Sequence, residues 1–285
     1  MDTVKTEIAK GEYIIGIAVI LAALLVSAAI YISAGNLTDA LAKKNFAVNV
    51  QQAAAAPAAA AGNNAAAPTQ PTAPAAPTSA SLNIPIAGEP FRGSANPGLV
   101  LVEYSDFQCP YCSRVNPTID QIISAYGTDV KLVYKEFPLS SMHPNAEKAA
   151  EAAECAQDQG KFWEMHDAMF ADQNGLDIAG LKAKAAKITG MDTTAFNTCL
   201  DSGKKASVVA ADSQEGQNYG VGGTPSFYIM DTDTNANTDA LMKLVESKVV
   251  DSVYKDPTTG KISVFVVGAQ PFANFKQAID AVLAK

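Results

Sequence analysis

The run Leu99-Val100-Leu101-Val102-Glu103-Tyr104-Ser105-Asp106-Phe107-Gln108-Cys109-Pro110-Tyr111-Cys112 changes character twice within 14 positions. Its first part is short, apolar and rich in β-branched residues, which reads as a buried strand. Behind the second cysteine, Val115, Ile119, Ile122, Ile123 and Tyr126 recur at helical spacing, and Gly127 supplies a stop. Cys109 therefore stands where a strand hands over to a helix. Pro110 takes the first helical position, where a missing N–H costs nothing. A thiol at a helix N-terminus faces unsatisfied backbone N–H groups and the positive end of the helix dipole. Both favour the thiolate, which is the reactive form of cysteine. Cys112, one turn inward, is close enough to close a disulfide with Cys109. The spacing assigns Cys109 as the attacking, exposed cysteine and Cys112 as the resolving one. Two other readings stay open here: half of a zinc site, whose remaining ligands would come from Cys155, Cys199, His143 and His166, and a purely structural disulfide.

The chain has 285 residues, which suggests one or two domains. Its net charge of −8 argues against a nucleic-acid partner, whose footprint is a basic patch. Four cysteines are too sparse for a disulfide-stapled miniature protein. Residues 13–38 carry no charge, and the apolar centre at 13–34 is long enough to span a bilayer as a helix, with Tyr13 and Tyr31 near its ends. The segment 1–34 is thus expected to be a membrane anchor that meets lipid through residues 13–34. A cleaved signal peptide, with Ala40-Leu41-Ala42 as its cleavage site, is the alternative, although its apolar region would be shorter. Lys5 and Lys10 before the span balance Lys43 and Lys44 after it, so flanking charge gives no orientation. Between 51 and 80 there are 15 alanines and 5 prolines. The prolines interrupt any alanine helix, so 35–80 is read as a disordered or polyproline tether, with a rigid spacer helix as the alternative. Residues 81–285 are expected to form one folded α/β domain that holds the whole net charge, because residues 1–80 contain equal numbers of basic and acidic groups.

Within that domain Lys131-Leu132-Val133-Tyr134-Lys135, Phe227-Tyr228-Ile229-Met230 and Ile262-Ser263-Val264-Phe265-Val266-Val267 read as further strands. About residues 140–210 the sequence is Ala-rich and helical in pattern, broken near Gly160, Gly175, Gly190 and Gly203. The 231–260 stretch is expected to be a variable surface excursion with a short helix at Leu241, Leu244 and Val245. Asp231, Asp233 and Asn235 have the spacing of a calcium loop, but Met242 stands where the closing Glu belongs.

Five segments in order resemble the DsbA-like branch of the thioredoxin superfamily. They are Glu103 to Cys112; Phe137-Pro138-Leu139 with His143-Pro144 and Ala146; Cys155 to Trp163 with Met165-His166-Asp167; Gly223-Thr224-Pro225-Ser226-Phe227; and Gly268-Ala269-Gln270-Pro271-Phe272. The resemblance spans about 90–285. It implies a thioredoxin-like fold with an inserted helical subdomain. It also implies a cis Pro225 facing the two cysteines, with the Thr224 backbone free to pair with a substrate strand. Pro110 and Tyr111 would border the same substrate surface. Glu103, six residues before Cys109, would be a buried acid that relays a proton to or from Cys112; an outward, solvated carboxylate is the alternative. Pro117 is read as a structural kink. Cys155 and Cys199 are expected to form a structural disulfide, with two free thiols as the alternative. A lasting bridge needs an oxidising compartment, which would place the domain outside the cytoplasm. His143 and His166 are read as non-catalytic, and Phe162 and Trp163 as core.

The function expected is thiol–disulfide exchange that introduces disulfides into cysteine-containing client proteins, with no metal and no cofactor. The resemblance implies reoxidation by a quinone-linked membrane thiol oxidase. A reductase or isomerase with the same centre, or a tethered chaperone-like binding module, are the alternatives.

Overall fold

All seven residues of β2 (Leu99–Ser105) are buried, as a strand covered on both faces must be. The computed structural model that shows this describes residues 82–284. The expected span at 13–34 and the linker at 35–80 lie outside the described residues. Among the described residues no helix is long and apolar enough to cross a membrane.

β2 lies at the middle of a mixed sheet. The other strands are β1 (Phe91–Gly93), β3 (Val130–Glu136), β4 (Ser226–Asp231), β5 (Ser252–Lys255) and β6 (Ile262–Val267), in the order β1-β3-β2-β4-β6-β5. β2 runs parallel to β3 and antiparallel to β4. A parallel neighbour requires a crossover, and α1 (Pro110–Tyr126) makes it. Alternation along β2 divides its side chains. Leu99 and Leu101 pack with Val115, Ile119 and Ile122 of α1 and with Phe275 and Ile279 of the last helix, α8 (Phe272–Val282). Val100, Val102 and Tyr104 face the opposite layer with Ile84, Phe137 and Tyr228. Glu103 and Ser105 continue the α1 side, so a carboxyl and a hydroxyl end an otherwise apolar row.

Between β3 and β4 the chain builds five helices: α2 (Ala146–Gln157), α3 (Phe162–Ala171), α4 (Ile178–Ala185), α5 (Thr193–Ser202) and α6 (Ala206–Asn218). Asp177 and Asp192 cap α4 and α5 by accepting from Gly180 N and from Thr194 N and Ala195 N. Phe162, Met165, Met169, Leu181, Phe196 and Leu200 form a core of their own, which extends to Phe107, Cys109 and Cys112. Cys155 of α2 and Cys199 of α5 are disulfide-bonded, with Cα atoms 5.9 Å apart. α6 lies on the opposite face of the sheet: Tyr104 Oη donates to Glu215, and Lys135 Nζ is held by Glu89, Asp212 and Glu215. Gly216 is required there, since a Cβ would lie 2.8 Å from the Phe137 ring and 3.0 Å from that of Tyr104.

The 231–260 stretch is more than the surface excursion expected of it. Its helix α7 (Thr238–Glu246) buries Leu241 completely in the main core. β5 then pairs antiparallel with β6 and becomes an edge of the sheet.

The bridge closes a loop across a sequence separation of 44. Constraining a loop of that size in the unfolded chain contributes up to about 4 kcal/mol. The double variant Cys155→Ala/Cys199→Ala is expected to lose about 2–4 kcal/mol of unfolding free energy in denaturant titration. A loss well under about 1 kcal/mol would show that the bridge constrains little.

Candidate active site

Cys109 is the N-cap of α1, with extended backbone (φ −71, ψ 123), and Pro110 opens the helix. The turn before it is tied by a buried carboxylate. Asp106 accepts from Gln108 N at 2.7 Å and from Leu139 N at 2.9 Å, and its Oδ2 lies 2.7 Å from His143 Nδ1. Gln173 reaches across from the helical insertion and donates to the carbonyls of Phe107 and Cys109. These bonds fix the angle at which the strand enters the helix, and so the place of the sulfur.

The two cysteines are free thiols in different surroundings. Cys112 heads the buried stripe of α1. Cys109 is not exposed as expected but 3% exposed, and its Sγ lies 3.5 Å from the carbonyl oxygen of Thr224, to which the thiol form donates. The Thr224–Pro225 bond is cis. The loop that carries it is tied to the end of β6 by Gly268 N–H donating to the Pro225 carbonyl at 2.8 Å. Thus two segments 115 positions apart meet at one sulfur. Pro110 and Tyr111 are exposed on the rim, and the Arg114 guanidinium covers the Tyr111 ring at 4.9 Å.

The charge distribution follows from this geometry. The Cys112 thiol beside Cys109 lowers the Cys109 pKa from 9.0 to about 5; burial opposes this, while the Cys112 and Tyr111 N–H groups and Thr224 add to it. Burial and the neighbouring thiolate push Cys112 well above its ordinary value. In the reduced pair, one negative charge sits on Cys109 and one proton stays on Cys112. Beneath them Glu103 is 1% exposed, and burial raises its pKa to about 7, with the Ser105 hydroxyl pulling the other way. A carboxyl that titrates near neutral pH is suited to exchange a proton with Cys112.

A family model described as Thioredoxin matches residues 87–247, more than half of the chain. The chain belongs to the thioredoxin family. The fold of this thioredoxin-family chain is shared with solved structures. BdbD from Bacillus subtilis is 19% identical, with 70% of this chain and 96% of that one covered at a TM-score of 0.54. Wolbachia pipientis α-DsbA1 is 22% identical, covering 73% and 96% at 0.54. Pseudomonas aeruginosa DsbA2 is 24% identical, covering 67% and 91% at 0.50. Among curated proteins, the Na(+)/H(+) antiporter NhaA 3 of Salinispora tropica is 38% identical over 138 residues, 48% of this chain. The match spans 21% of that antiporter's own length.

The family fold brings Cys109, Cys112, Pro225, Thr224, Glu103, Pro110 and Tyr111 to one end of the sheet. Cys155 and Cys199 lie apart from them, in the insertion. Sequence reading did not single out Ser105, Tyr134, Glu136 or Gln173. The first three share one face of β2 and β3 with Glu103, and their hydroxyl and carboxyl oxygens are buried without a hydrogen-bond partner. Their signal was available as polar atoms in otherwise apolar strands.

The depressed Cys109 pKa has a consequence for stability. The folded thiol titrates near 5 and the free thiol near 9.0. The gain to the reduced protein is therefore complete above the upper value, shrinks as pH falls through the window, and is gone below the lower one. Reduced protein is expected to exceed oxidised protein in stability at neutral pH and to lose that margin on acidification. The thiolate ultraviolet absorbance of the reduced protein should disappear over the same acid range. A margin that does not change with pH would contradict the charge assignment.

Proposed function

We propose that this chain is an extracytoplasmic thiol–disulfide oxidoreductase that introduces disulfides into cysteine-containing client proteins. The observation that carries the reading is the Cys109–Cys112 pair at the N-terminus of α1, with Cys109 at the N-cap and the cis Thr224–Pro225 segment against its sulfur. A thiolate of low pKa is a good leaving group, and a stabilised reduced form makes the disulfide form an oxidant.

In the reaction a client thiolate attacks Sγ of Cys109 in the Cys109–Cys112 disulfide. The S–S bond breaks and Cys112 leaves with the electron pair, taking a proton from Glu103. A second client thiolate then attacks the client sulfur of the mixed disulfide. Cys109 leaves as the thiolate, the client holds a new disulfide, and the centre has gained two electrons. The Thr224 backbone pairs with the client strand, Pro225 shapes that surface, and Pro110 and Tyr111 border it. A quinone-linked membrane thiol oxidase takes the electrons away.

Location outside the cytoplasm is supported by the Cys155–Cys199 bridge, which persists in oxidising compartments. Residues 13–34 anchor the domain to the bilayer and 35–80 let it reach its clients. Relatives named as ion antiporters match 138 residues of this chain, in keeping with work at a membrane.

Oxidative refolding of a reduced, unfolded multi-cysteine protein tests the reading. Cys109→Ser is expected to abolish catalysis. Cys112→Ala should accumulate a mixed disulfide between Cys109 and the client. A Cys109→Ser variant with full activity would refute the assignment.

A further inference from the structure

A cavity of about 320 Å³ opens behind the active-site helix. Its lining comes from five elements: Arg92 of β1, Glu103 of β2, Asn116 and Asp120 of α1, Leu132 of β3, and Trp163, His166 and Asp167 of α3. Its inner end is Glu103, whose Oε1 is buried without a hydrogen-bond partner. Its outer end holds Asp167, with a side chain 58% exposed, and Arg92. One cavity therefore joins solvent to the acid beneath Cys112, by a path that avoids the client surface.

His166 lines the same cavity. It is itself 5% exposed and is enclosed by the rings of Phe107, Tyr134, Trp163 and Phe170, at centroid distances of 4.8–5.8 Å. Its Nδ1 lies 2.8 Å from Asp167 Oδ1, and Asp167 Oδ2 is held by Arg92 at 2.6 Å. Arg92 is in turn stacked on Trp163 at 4.3 Å. The paired Asp167 carboxylate accepts, so Nδ1 carries the hydrogen and Nε2 the lone pair. Burial lowers the His166 pKa, which keeps the ring neutral and able to accept. The titratable and charged groups around this ring are Asp167 beside it, Arg92 from β1, Asp120 from α1 and Tyr134 from β3, and Glu103 from β2 lines the same cavity.

We propose that this cavity is the proton port of the redox centre, and that His166 relays the proton between Glu103 and solvent as a positioning residue held by Asp167. This rests on the exchange reading above. When the reduced centre closes on a disulfide partner, Cys109 first forms a mixed disulfide. Cys112 S–H then gives its proton to the Glu103 carboxylate and attacks Sγ of Cys109. The intramolecular S–S bond forms, the bond to the partner breaks, and the partner leaves as a thiolate. The proton on Glu103 passes to Nε2 of His166 and out past Asp167. In the opposite direction the same path delivers a proton to the departing Cys112.

The test uses the purified full-length chain, reduced and mixed with glutathione disulfide, with both steps timed by acid quench and mass. The first step uses only the Cys109 thiolate, and the second needs the proton of Cys112 removed. His166→Phe, which keeps a ring in the aromatic cage, is expected to leave the first step unchanged and slow the second about tenfold at neutral pH, within the range for assisted proton transfer. The deficit should shrink as pH rises and hydroxide takes the proton. Added imidazole should restore the second step in His166→Ala. With Glu103→Gln already in place, His166→Phe should slow it no further, because both groups serve one path. An unchanged second step in His166→Phe, or equal slowing of both steps, would overturn the relay. A wild-type chain that forms no mixed disulfide would overturn the exchange reading itself.

Discussion

The placement of one sulfur at the start of one helix governs the rest of the structure. Cys109 caps α1, where backbone N–H groups lack intrahelical partners, and Cys112 sits one turn inward with its thiol turned toward it. The pair then holds one charge and one proton in fixed places. Disulfide exchange is a choice of which sulfur leaves as a thiolate, so this asymmetry sets both the site of attack and the better leaving group.

Much of the fold serves to hold that sulfur still. β2 is buried along its length and enters α1 through a turn whose polar groups converge on Asp106. The Thr224–Pro225 segment is delivered from the other side by β4, between β2 and β6. The helical insertion closes over the same end, and its core includes both cysteines. A site on a central strand, a helix terminus and a braced loop moves less than one on surface loops alone. Glu103 is the exception that the apolar core tolerates. Its burial costs stability as a carboxylate, and its raised pKa of about 7 is the form that cost takes.

The parts legible in the sequence were those with local signatures. The apolar run of β2, the Pro110 opening and the stripe from Cys112 to Tyr126 specify a strand and a helix without outside help. The strands at β3, β4 and β6 were readable for the same reason. β1 has three residues, and β5 has four with none fully buried, so neither carries a periodic signal. The role of 231–260 in the sheet edge and in the Leu241 contact was hidden accordingly. The cis Thr224–Pro225 bond was reached only through family resemblance, since nothing in Gly-Thr-Pro-Ser itself distinguishes it from a trans turn. Convergence in space was the least legible. Gln173 is 64 positions from the carbonyl of Cys109, and the cavity behind α1 draws on five elements. His166 reads in sequence as an ordinary packed residue, and only its bond to Asp167 and the cavity it shares with Arg92 and Glu103 give it another meaning.

The equilibrium reduction potential of the Cys109–Cys112 pair, measured in glutathione buffers, tests the central claim most directly. A thiolate stabilised at the helix N-terminus favours the reduced form, so the account predicts a value above about −180 mV, toward the strongly oxidising end of the superfamily. A value near about −270 mV, where thioredoxin itself lies, would contradict it and mark the centre as a reductant.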